Sequence, residues 1–224
     1  MNEQIEGFTA LKQVLVTGQY HNPKGLWYGG SKLQASHVQL LELLRRRFTM
    51  HSHCFLVDVH TGLGPSGVDT LIAEGGTAIQ AFMKRTFGAE SGEAEYPFLH
   101  GSTGAFGGST DKTGAGSGYS DAQGFSANYL LAMNWSHVAA VTQEFGTVPG
   151  LRVVHALARE NAVWHHSNDT AARSAAARAA RDVFYVRTAN WQRSIVRRGV
   201  AVVKQALAAL ESDSAAMPQG MSSQ

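Results

Sequence analysis

Apolar and polar positions divide the chain into alternating helical and extended stretches. Ile5, Phe8 and Leu11 recur along one side of residues 3–13 with Lys12 turned outward, which predicts a short helix. Residues 14–20 (VLVTGQY) read as a strand running into the polar turn HNPKG, and 27–31 read as loop. Ser36 is a suitable N-cap for a helix over 36–48, where residues 37–44 form an apolar stripe. Arg45, Arg46 and Arg47 fall in its last turn, where cations complement the helix dipole, and they read as a solvated helix end.

Residues 55–59 (FLVDV) are almost continuously apolar, as in a central strand buried on both faces. The run ends in His60-Thr61-Gly62-Leu63-Gly64-Pro65-Ser66-Gly67, which reads as a glycine-rich turn that stops the strand. A short strand at 70–73 and a helix at 78–87 follow. Residues 88–124 are dominated by Gly, Ser and Thr, which predicts a mobile loop before a short helix at 127–133. A second buried strand is predicted at 138–142, running into Gln143-Glu144-Phe145-Gly146-Thr147. Helices are predicted at about 151–165 and through AARSAAARAARD, the latter with Arg173, Arg178 and Arg181 exposed. The last helix spans 190–211, with Ile195, Val196, Val200, Val203, Ala206 and Leu210 expected inward. Strands alternating with helices predict an α/β fold, a three-layer αβα sandwich with a mixed, largely parallel sheet. One domain over 1–211 and a frayed polar tail over 212–224 are expected.

Composition narrows the function classes. The 224 residues suit one domain, and 44% hydrophobic against 16% charged residues suffices for a core. Cys54 is the only cysteine, so a disulfide framework is excluded. The first residues, MNEQIEGFTALKQ, show no secretory leader, and no segment is apolar enough to span a membrane, so a cytoplasmic protein is expected. A net charge of +2 from 19 basic and 17 acidic residues is too balanced to announce a nucleic-acid partner. The arginines of the last third, among them Arg187, Arg193, Arg197 and Arg198, read mostly as a solvated face.

Two motifs carry candidate chemistry. Asp58-Val59-His60-Thr61-Gly62 and Thr142-Gln143-Glu144-Phe145-Gly146 each set an ionisable residue at the end of a buried strand, next to glycine. Ligands of open α/β sheets gather outside the carboxyl ends of the strands. A carboxylate there is costly unless it is used or paired. Asp58, two residues before His60, points to the same side of its strand.

The segments GQYHNPKGLWYGG, LVDVHTGLGPSG, TQEFGT, ALAREN and NWQRSIVRRGVAVVKQAL, in that order, resemble a little-characterised branch of the zinc carboxypeptidases. This branch is related more distantly to aspartoacylase and succinylglutamate desuccinylase, and the resemblance covers roughly residues 10–210. It implies a zinc hydrolase of amide or peptide bonds acting on a small peptide or an N-acyl amino acid. By the same resemblance His60 is the last metal ligand, Glu144 the general base, Asp58 a support behind His60, and Tyr119 a substrate-contacting tyrosine.

The sequence departs from that family at the front of the site. The first two zinc ligands normally come from a His-x-x-Glu motif, and none occurs in the 224 residues. His155 and Glu160, five residues apart, would face about 140° apart on a helix. His51, His53, His165 and His166 read as surface residues. The expectation is therefore the C-terminal part of such a domain, with little or no activity and no stoichiometric zinc by itself. Two other classes remain open. One is a non-catalytic binding or assembly module. The other is a nucleotide-binding α/β domain, since Gly62-Leu63-Gly64-Pro65-Ser66-Gly67 fits G-x-G-x-x-G.

Overall fold

The computed structural model describes residues 18–49, 53–73, 77–88, 98–100, 126–131 and 137–212. The expectations for 3–13, for Tyr119 and for 213–224 lie outside the described residues. Four strands form one sheet: β1 (His53–Ser66), β2 (Asp69–Ala73), β3 (Phe98–His100) and β4 (His137–Gly146), in the order β1-β4-β2-β3. β1 and β4 run parallel, β4 and β2 antiparallel, and β2 and β3 parallel. The six helices are α1 (Ala35–Arg47), α2 (Thr77–Phe87), α3 (Ser126–Leu131), α4 (Gly150–His166), α5 (Thr170–Phe184) and α6 (Ala189–Ser212). The fold is α/β, an open mixed sheet with helices on both faces.

Alternation along β1 and β4 sorts their side chains between two apolar layers, because successive residues of a strand point to opposite faces. Phe55, Val57, Ala139 and Val141 face one layer, which α2 supplies with Phe82 and Met83 and α6 with Val202 and Ala209. Cys54, Leu56 and Val138 face the other, against Leu130 of α3 and Leu44 of α1. β4 lies inside the sheet and is buried along all but its first residue, as its apolar run predicts. Burying a side chain such as Phe82 or Met83 contributes about 1.5–3 kcal/mol each.

Several expectations need correction, the Ser36 N-cap among them, since α1 begins at Ala35 with Gln34 as its N-cap. β1 does not stop at His60 but continues to Ser66 through a bulge, where Gly62 and Ser66 both register with Gly146. Gly64 (φ 107°) and Gly67 (φ 75°) let the chain bulge and turn while staying beside β4. Within 88–124, Phe98–His100 form a strand, and all but these and Gly88 lie outside the described residues. The last helix keeps Ala206 and Leu210 inward as expected but turns the expected valines outward. Trp191, Arg198, Val202, Ala206 and Ala209 point inward, whereas Val196, Val200 and Val203 are exposed.

Arg198 sits on the inward face. It is buried, its Nε donates to Asp69 Oδ1 at 2.9 Å and its Nη2 to Asp69 Oδ2 at 3.2 Å. Gln143 Nε2 donates to the same Asp69 Oδ2 at 2.7 Å. The arginine expected on a solvated face is instead bonded under the sheet. A buried guanidinium requires its carboxylate partner, whereas the three valines at 196, 200 and 203 can stay exposed at modest cost. Arg173 is likewise not free in solvent, since its guanidinium lies 5.2 Å from the Trp164 ring centroid.

Candidate active site at the ends of two parallel strands

Asp58, His60 and Glu144 share one face of the sheet, the face of α1 and α3. Parallel pairing sets His60 opposite Glu144, and antiparallel pairing sets Thr70 on the other side of Glu144. His60 Nε2 is 3.2 Å from Asp58 Oδ2, and His60 Nδ1 is 3.6 Å from Glu144 Oε2. Glu144 is only 3% exposed, while the His60 side chain is 39% exposed, so the site opens on the histidine.

Electrostatics couple these groups. The hydrogen bond to Asp58 is the main reason the His60 pKa is raised, against an opposing burial effect, with the charges of Asp58 and Glu144 adding to it. The same bond lowers the Asp58 pKa, aided by a hydrogen bond from the Ser126 side chain at the start of α3. Both shifts favour the ion-paired form, an imidazolium beside a carboxylate, an arrangement that can hold and return a proton.

Glycine shapes the floor. A Cβ at Gly62 would lie 3.5 Å from Glu144 Oε1 and 3.3 Å from the Phe184 ring of α5, so this residue keeps the wall beside the carboxylate thin. Gly146 ties the bulge to β4: its N–H donates to Val68 O at 3.0 Å and its carbonyl accepts from Gly67 N at 2.9 Å. Trp191 Nε1 also donates to that carbonyl, at 2.8 Å. A Cβ on Gly146 would run into the carbonyl oxygens of Gly64 and Pro65.

Sequence reasoning thus named three residues that the fold brings together, Asp58, His60 and Glu144; Tyr119 lies outside the described residues. It missed Thr70 and Ser126. Thr70 Oγ1 is buried and has no hydrogen-bond partner among the described residues. The only hint of Thr70 was a polar residue in the apolar run at 70–73, and nothing in the chain announced Ser126. His53 stacks near His137 at the opposite end of β1, with ring centroids 4.3 Å apart.

A protein zinc site of the catalytic kind takes three ligands with lone pairs aimed at one point, leaving a fourth position for water. Among the described residues no group of three or more His, Cys, Asp and Glu side chains is arranged to hold a metal ion. Both ring nitrogens of His60 face carboxylates. The described donors therefore do not by themselves fit a zinc ion. The glycine run 62–67 is followed by β2, so no helix opens on it, as a dinucleotide-binding turn would require. Among the described residues, no helix is long and apolar enough to cross a membrane.

Comparison with known families finds one match, a profile described as a protein of unknown function, DUF2817, over residues 2–198. No curated protein and no solved structure matches the chain.

Proposed function

Since the chain belongs to the DUF2817 family of proteins of unknown function, we propose that it carries the proton-transfer half of an amide- or peptide-bond hydrolase site of the zinc carboxypeptidase-like kind. Its substrates in this reading are small peptides or N-acyl amino acids. The observation that supports it is the register of His60, just before the β1 bulge, with Glu144, two residues from the carboxyl end of β4, the two side chains lying 3.6 Å apart.

In this reading Glu144 accepts the proton of a water attacking the substrate carbonyl and returns it to the leaving amine. Its burial keeps bulk water from competing for that proton. Asp58 holds the His60 ring beside the reacting carbonyl, and Gly62 keeps the wall beside Glu144 thin. The resemblance calls for zinc, but the described donors do not fit one alone, and no step above runs through a metal. A metal centre here needs a His-x-x-Glu donor pair, which these 224 residues do not contain.

The test is amine release from dipeptides and N-acyl amino acids with added zinc, by the chain alone and with a His-x-x-Glu segment supplied in trans. Release that depends on Glu144 supports the reading. Release in neither condition, or release indifferent to Glu144, contradicts it.

A second reading, a non-catalytic assembly module, draws support from α6. Val196, Val200, Val203 and Leu207 recur at helical spacing and are 63%, 49%, 45% and 52% exposed. Concentration-dependent association that is lost in Val200→Glu would favour it.

A further inference from the structure

On the face of the sheet that carries His60, the elements α1, β1 and α3 enclose an apolar cleft of about 80 Å³. Leu40, Leu41, Leu56, Tyr129, Leu130 and Ser126 are among its lining residues. Ser126 belongs to two sites at once. It lines the cleft, and its side chain bonds the Asp58 carboxylate that faces His60 Nε2. Ser126 thus stands between the cleft and the candidate active site.

We propose that this cleft is the subsite for a short aliphatic group of the substrate, the side chain or acyl arm next to the bond attacked at Glu144. This rests on the hydrolase reading above. Three observations select the occupant. The walls are mainly leucine side chains, and only Ser126, His37 and Tyr129 bring polar side-chain atoms to them. No Lys or Arg lines the cleft, and Asp58 stands beyond Ser126. An acidic arm would lose its hydration there without gaining a permanent cation, His37 being the one basic side chain in the lining. The volume is about half that of an apolar cavity that holds a benzene ring, about 150 Å³, which suits a branched group of roughly three to five carbons.

The proposal separates substrates by their apolar arm. Leu40 and Tyr129 line the cleft yet are 46% and 38% exposed, so they can be changed without disturbing a packed core. The experiment is a nuclear magnetic resonance titration of the full chain with N-acetyl-leucinamide, N-acetyl-glycinamide and the α-amide of N-acetyl-aspartate. Expected is binding of the leucine probe about 10-fold tighter than either of the others, the scale on which an apolar pocket discriminates. Leu40→Trp, which fills the cleft, should weaken the leucine probe about 10-fold, and Tyr129→Ala, which widens it, should improve binding of N-acetyl-phenylalaninamide.

Equal affinity for the leucine and glycine probes would overturn the proposal. So would a leucine preference that neither Leu40→Trp nor Tyr129→Ala alters. Self-association that Leu40→Trp abolishes, without probe binding, would also overturn it and assign the cleft to a second copy of the chain. The hydrolase reading is scored separately, because Glu144 does not line the cleft. A leucine preference retained in Glu144→Gln supports the cleft whatever that variant does to hydrolysis.

Discussion

Arg198 reaches across 129 residues of sequence to bind Asp69 through two hydrogen bonds, at 2.9 and 3.2 Å, in a layer where both side chains are almost fully buried. Removing one partner leaves the other as an unpaired buried charge, which costs about 3–5 kcal/mol. Arg198→Met is therefore expected to lose about that much stability in denaturant unfolding. The double variant Asp69→Leu/Arg198→Met should recover much of the loss, since it leaves no orphaned charge. A single variant within about 0.5 kcal/mol of the parent would show that the pair is not formed in solution.

His60 and Asp58 give the site a pH signature. The lowered Asp58 pKa contributes stability that is present above its unfolded value, about 3.9, and lost as pH falls through the folded value. The raised His60 pKa contributes stability present below about 6.5 and lost as pH rises through its folded value. The stability difference between wild type and Asp58→Asn should then be greatest between about pH 4 and 6.5. Solvent around the half-exposed imidazole keeps it smaller than the effect at Arg198. Titration of the His60 ring signals should show a clear fall in pKa in Asp58→Asn and a lesser one in Glu144→Gln, because the Asp58 hydrogen bond is the leading cause. A fall in Glu144→Gln as large as that in Asp58→Asn would contradict this ordering.

Gly146 anchors the bulge that follows His60. Gly146→Ala should cost about 3 kcal/mol, because the new methyl meets the carbonyl oxygens of Gly64 and Pro65 and the bulge must move. Trp191→Phe keeps most of the packing and removes only the donor to Gly146 O, so a loss of about 1–2 kcal/mol is expected. Thermal unfolding of the two variants checks the order; a Gly146→Ala protein as stable as wild type would mean that the bulge is not held as described.

The strongest periodicities led directly to the strands that matter. Apolar runs at 55–59 and 138–142 correspond to β1 and β4, and the ionisable residue near the end of each led to His60 and Glu144. What stayed illegible depends on partners far away in sequence. β1 continues past His60 only because Gly146 on β4 accepts the bulge. The arginine that α6 turns inward finds its partner in Asp69 on β2. Valines at 196, 200 and 203 form as good an apolar stripe as the residues that are buried, so periodicity placed Ala206 and Leu210 correctly and these valines wrongly. Thr70 and Ser126 join the site through sheet register and a short helix, which no local motif encodes.

The claim that Glu144 is the base at this site is tested most directly by amine release from an N-acyl amino acid, comparing wild type and Glu144→Gln under the zinc and donor-segment conditions described above. A correct assignment predicts a loss of about 100-fold or more with the fold intact, the scale of a removed general base. A Glu144→Gln protein that hydrolyses the substrate at the wild-type rate would contradict it.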